Sequence, residues 1–214
     1  MFCSRREICL GGNVFFQMHR KFSPQRFRKY SIFWKLVFGV FALDQLSKLL
    51  VIALIPWKQG QPTYAFPGMF GYAPGFEPIT VIPNFFYLVH IDNPGAAWSL
   101  FAGQQVFLSI FALVALVCIF LFRRNLELER RPSQISLGLL AGGIAGNLLD
   151  RVCHNYVIDF LDVHLPFYGR WPAFNFADCG IVIGVVLYIF ISVLPLFGTN
   201  HPAAKRFNEE DALR

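Results

Sequence analysis

The chain has 214 residues, 55% hydrophobic and only 15% charged, with 19 lysines and arginines against 13 acids and a net charge of +6. That apolar content excludes an ordinary soluble domain and points to the membrane class. No RNA- or DNA-binding motif accompanies the positive balance, which therefore reads as a topology signal with weak attraction to anionic lipid.

In chain order, residues 1–30 come first, with Arg5, Arg6, Arg20, Lys21, Arg26, Arg28 and Lys29. They lack an apolar core before a small-residue cleavage site, so a flexible basic tail is expected rather than a cleavable signal. The first apolar run, roughly Phe33–Ile55, has the length of a spanning helix, which needs about 20 residues. It carries Asp44 and Lys48, four apart and so spaced to pair inside the bilayer. Residues 56–105 then make a loop too long for a mere connector. Its first part is rich in Pro, Gly and aromatics, and its later part, ITVIPNFFYLVHI, reads as short strands. Trp57, Trp98 and Trp171 are expected at headgroup depth.

The second run is Val106–Phe122, followed by the basic loop RRNLELERR. The third, Ser133–Asp150, places Gly138, Gly142 and Gly146 on one stripe, where a neighbouring backbone approaches closely. Residues 151–177 form a second loop, Cys179–Phe197 a fourth run and 199–214 a tail. Most lysines and arginines lie before the first run, between the second and third, and after the fourth. Both termini are thus expected in the cytoplasm, with loops 56–105 and 151–177 outside, on one bundle over 31–198.

Cys153 and Cys179 flank the second outer loop, where a disulfide is possible in principle, but unpaired thiols are the default for these scattered cysteines. No CxxC or HxxxH pattern exists, and the five histidines lack ligand spacing, so neither a metal nor a cofactor is expected.

The unusual polar residues gather at one depth, apart from Asp44 and Lys48. In GNLLDR, Asn147 and Arg151 are four apart at the end of the third run, while Asp150 points about 100° away from Arg151. Asp159 follows in NYVIDFLDVH, Asn175 and Asp178 in FNFAD, and Asn93 and Gly95 in DNPGAAWS. There is no GxSxG, no convincing Ser–His or Ser–Lys pair and no nucleotide loop. Two carboxylates at helix mouths suit a shared-proton pair that activates water. They equally suit a proton path, or ion pairs with Arg151 or Arg170 and a cap on the last helix. From the residues alone all three readings stay open.

Four stretches in order decide for the first. DQLSK (44–48), NPGAAWS (93–99), GNLLDR with VIDF (146–160) and FNFAD (174–178) resemble the motifs of lipoprotein signal peptidases (signal peptidase II), the bacterial membrane aspartyl peptidases. The resemblance covers residues 33 to about 197. It implies an all-α membrane protein, a four-transmembrane-helix bundle with a small extracytoplasmic β-cradle and a short periplasmic helix. It implies catalytic Asp159 and Asp178, supporting Asn93, Gly95, Asn147, Arg151 and Asn175, and a structural polar pair, Asp44 and Lys48. The implied substrate is a prolipoprotein cut just before its diacylglyceryl-modified cysteine by a monomer in the bacterial inner membrane, with membrane lipids as its other partner, no nucleic acid and no cofactor. Cys179 stands where serine is common in the family. The tail and residues 60–78 exceed a minimal member, and the insertion is expected to reshape the cradle.

Overall fold

The computed structural model describes residues 29–55, 78–96 and 100–194. The expectations for both tails, Trp57, Trp98 and most of the 60–78 insertion fall outside these residues. Among the described residues four helices are present: α1 (Ser31–Leu54), α2 (Gln105–Leu121), α3 (Arg131–His154) and α4 (Phe176–Val193). Three of them are long and apolar enough to cross a membrane, and α2, with 17 residues, is shorter. Their large apolar side chains point outward as well as inward: Phe38, Leu46, Phe111, Val117, Ile189 and Phe190 are all exposed. Such a surface suits a lipid solvent, which imposes no penalty on it.

Close packing rests on glycine. A Cβ on Gly138 would stand 3.0 Å from the Phe33 carbonyl oxygen, and one on Gly142 2.8 Å from that of Val37, so the α3 stripe is where α1 lies down. Gly143, Gly180 and Gly184 do the same between α3 and α4. The contacts run in the same direction along α1 and α3 and in opposite directions along α3 and α4, so the chain reverses at each connection that the helices make.

The end of the bundle where α1 and α3 finish and α2 and α4 begin carries a four-stranded antiparallel sheet, ordered β1 (Ile79–Ile82), β2 (Phe86–Asn93), β3 (Val157–Leu165), β4 (Gly169–Arg170). The first two strands match the expected ones. The sheet extends into residues 151–177, where only a loop was expected, and α3 itself runs four residues past Asp150. Its end is set by Asn155 in the left-handed region (φ 63°), a residue type that tolerates this cap, and the chain turns directly into β3. Val51, Ile55, Ile158 and Phe160 bury together and fix the sheet on the end of α1. Among the described residues no short separate helix accompanies the sheet, and Cys118, Cys153 and Cys179 are free thiols.

Candidate active site

Asp159 lies on β3, opposite Ile91 of β2, and its carboxylate is buried at 3% exposure. Its Oδ2 accepts from Asn93 Nδ2 at 2.8 Å and its Oδ1 from Asn175 Nδ2 at 2.7 Å. Asp178 sits in the first turn of α4, only partly buried. Its Oδ1 accepts from Asn147 Nδ2 at 2.7 Å and its Oδ2 from the Asn175 backbone N–H at 3.2 Å. Each of the four carboxylate oxygens thus holds one donor, and Asn175 serves both acids.

The local sequence explains that arrangement. Phe174 bridges to Leu161, which draws the strand before α4 against β3. Asn175 is the N-cap of α4: its Oδ1 accepts the Asp178 N–H at 3.0 Å, and with the return bond from Asp178 this makes a capping box. Because Oδ1 is committed to the helix, Nδ2 is left to face Asp159. Asn93 is aimed likewise, since its Oδ1 accepts the Gly95 N–H at 2.8 Å.

Asp44 and Lys48 join the cluster rather than standing apart from it. They pair as expected at 2.7 Å, but Lys48 also reaches Asp150 at 2.7 Å and donates to Asn147 Oδ1 at 3.1 Å. Asp44 Oδ1 accepts the Ala177 N–H at 2.9 Å, so a carboxylate of α1 satisfies the mouth of α4. Gly146 makes room, because a Cβ there would stand 2.5 Å from Asp44 Oδ2. Asp150, set aside in the sequence because it diverges from Arg151, is the acid that completes Lys48 and also accepts the Ile158 N–H at 3.3 Å. Arg151 donates to the carbonyls of Asn147 at 3.3 Å and Gly95 at 3.1 Å, tying α3 to the NPG turn. Arg170 pairs instead with Asp162 at 2.7 Å.

Asp159 and Asp178 both line one cavity of about 1020 Å³. Asn93, Asn147 and Arg151 reach it as well, and the rest of its wall is largely apolar, running down between α2, α3 and α4 past Phe107, Phe111, Ile144 and Val182. Burial first, and then the charge of Asp178, hold the Asp159 carboxyl well above the usual carboxylate range. Two carboxyls in that relation share one proton, and such a pair has both an acid and a base for work on water. Among the described residues no group of three or more His, Cys, Asp or Glu is placed to hold a metal ion.

Comparison with known proteins places the chain in a family. The sequence model of the family described as signal peptidase (SPase) II matches residues 36–194. The lipoprotein signal peptidase of Moorella thermoacetica is 38% identical over 157 residues, covering 73% of this chain and 89% of that protein. That of Desulforapulum autotrophicum is 44% identical over 159 residues, covering 71% and 85%. A bacterial membrane enzyme solved at 2.3 Å resembles the fold with a TM-score of 0.62 at 27% identity, over 78% of this chain and 90% of that one. A second, solved at 1.9 Å, gives 0.56 at 30% identity, over 74% and 90%. The matched stretch takes in every polar residue of the cluster, and the chain belongs to the signal peptidase II family.

Proposed function

We propose that the protein is a membrane aspartic endopeptidase that removes signal peptides from lipoprotein precursors, cutting just before a diacylglyceryl-modified cysteine. One observation carries this reading: two carboxyls, Asp159 and Asp178, open into a cavity whose remaining wall is apolar and runs between helices. A soluble peptide needs no such wall, whereas two acyl chains do.

The pair shares one proton, and with that proton on Asp159 its partner Asp178 is the ionised acid. Asp178 takes a proton from water as the oxygen attacks the scissile carbonyl carbon, and Asp159 gives its proton to the carbonyl oxygen. The resulting diol collapses when Asp178 protonates the leaving nitrogen, the C–N bond breaks and Asp159 recovers its proton from a hydroxyl. Asn93, Asn147 and Asn175 keep the carboxyls aimed, and Arg151 and the NPG turn at Gly95 border the substrate chain.

The four helices all span the membrane. α2 covers roughly 25 Å at about 1.5 Å per residue, a shortfall that bilayers accommodate by thinning. The distribution of basic residues supports cytoplasmic termini, with the tails 1–30 and 199–214 inside and the sheet on the extracytoplasmic side.

The test is cleavage of a fluorescent peptide bearing a diacylglyceryl cysteine, with Asp159→Asn and Asp178→Asn purified in detergent. Both variants should insert normally and cleave nothing. Wild-type rates in either would remove the aspartic mechanism.

A further inference from the structure

Lys48 is a buried lysine that the mechanism above does not use, at 2% exposure in the wall between α1, α3 and α4. Its ammonium has three protons and three acceptors: Asp44 Oδ2 at 2.7 Å, Asp150 Oδ2 at 2.7 Å and Asn147 Oδ1 at 3.1 Å. Asp44 is occupied further by Ala177, and Asp150 by Ile158 and by Gln45 Nε2 at 3.0 Å. A pair made only to neutralise a buried lysine would need one carboxylate. The third contact, to an amide that touches the dyad, is the one that calls for a role.

That amide has only one workable orientation. Asn147 Oδ1 accepts from Lys48 and from Asn175 Nδ2 at 3.2 Å, and Nδ2 donates to Asp178 Oδ1 at 2.7 Å. The flipped amide would set donors against an ammonium and an NH2, and its oxygen against a carboxylate. The three contacts would turn repulsive together.

We propose that Lys48 is a positioning residue for the dyad, whose ammonium locks the Asn147 amide so that its NH2 faces Asp178 and supplies the positive charge beside which the two acids ionise. This rests on the dyad reading given above. The ionisable groups facing the network are Asp44 on α1, Asp150 and Arg151 on α3, Asp159 on β3, and Asp178 and Cys179 on α4. Lys48 and Arg151 are the two cations of that set, and Arg151 is turned toward the Asn147 and Gly95 carbonyls.

The balance between Lys48 and Asp150 predicts shifts of opposite sign. In Lys48→Met the dyad loses a cation and ionises later, so the acid limb of kcat/KM moves up. In Asp150→Asn a negative charge is lost and Lys48 is less neutralised, so the same limb moves down. An opposite charge close to a carboxyl changes its ionisation by one to three pH units, and through this geometry about one is expected.

The experiment is a pH profile of kcat/KM on the diacylglyceryl-cysteine peptide for wild type, Lys48→Met and Asp150→Asn, with kcat and KM separated. A bell-shaped wild-type profile that both Asp159→Asn and Asp178→Asn abolish tests the dyad itself, independently of Lys48. Expected are an upward limb in Lys48→Met with kcat lowered at least about tenfold and KM little changed, and a downward limb in Asp150→Asn. Because the methionine leaves two acids buried without their cation and can unfold the bundle, Asp150→Asn is decisive on its own. An unshifted or upward limb in that folded variant overturns the proposal.

Discussion

Asn175 and Asp178 hold each other by two hydrogen bonds, side-chain Oδ1 to backbone N–H at 3.0 Å and backbone N–H to Oδ2 at 3.2 Å. The same motif that starts a helix therefore aims an acid and, through the remaining NH2 of Asn175, reaches the second acid at 2.7 Å. Capping and positioning can be separated by substitution. Asn175→Asp keeps a competent N-cap, so it should retain the capping contribution of about 0.5–2 kcal/mol that Asn175→Ala loses. It exchanges the donor to Asp159 for a third carboxyl, so cleavage should fall at least about a hundredfold. Asn175→Ala should lose both, with a clearly lower thermal midpoint. A folded Asn175→Asp with near-normal cleavage would show that the amide does not hold Asp159.

The raised ionisation range of buried Asp159 makes the protein's stability depend on pH. In the unfolded chain this carboxyl ionises near about 4. In the folded protein burial and the Asp178 charge hold it well above that range, so folding favours the protonated form. Its contribution to stability is then complete below the unfolded value and is lost as pH rises through the folded one. The thermal midpoint of wild type in detergent should decline above pH 4 toward neutrality and beyond. Asp159→Asn, which never ionises, should flatten that decline while abolishing cleavage. An identical slope in both proteins would contradict the buried, protonated state.

Glycine packing delivers α4 to the site, and one substitution tests it against a matched control. A Cβ on Gly143 would collide with the Ala177 carbonyl oxygen and stand 2.9 Å from Ile181 Cγ1. Overpacking of this kind costs about 1–3 kcal/mol. Here it also displaces the turn that carries Asp178, so Gly143→Ala should lower both the thermal midpoint and kcat. Gly39, on the lipid-facing side of α1, has nothing within 4 Å. Gly39→Ala should be neutral or stabilising by up to about 1 kcal/mol, since alanine is the better helix former. Equal effects at the two positions would mean that the α3–α4 approach does not set the site.

Much of this was legible in the sequence, and the gaps have physical causes. The i,i+4 spacing exposed the Asp44–Lys48 pair, and richness in β-branched and aromatic residues exposed β1 and β2. β3 was hidden because its first four residues, Val157 to Phe160, are all buried, which erases the period of two on which strand reading depends. Asp150 was hidden because its partner lies on another helix, where no spacing rule applies. Lys48 and Asp44 looked like an isolated deep pair because sequence gives no measure of how α1 leans on α3. The glycine stripe of α3 announced that approach, and Gly146 against the Asp44 carboxylate is its consequence.

Cys179 is the residue next to Asp178 and carries a thiol beside the pair of acids. It lines the cavity and is half-buried, while the other described free thiols stand elsewhere: Cys118 within α2 and Cys153 exposed at the end of α3. A small uncharged reagent such as methyl methanethiosulfonate adds a thiomethyl group to a cysteine it reaches. At Cys179 that group would enter the space where the scissile bond lies, and the acids would lose their access to it. Wild type should therefore lose cleavage of the lipidated peptide on treatment and regain it on reduction with dithiothreitol. Cys179→Ser should keep its untreated rate within about threefold, since the thiol has no part in the proton transfers, and should resist the reagent. Cys153→Ser, with Cys179 intact, should remain as sensitive as wild type. Sensitivity that persists in Cys179→Ser would move the reactive thiol out of the cavity and would break the link between this residue and the path of the substrate.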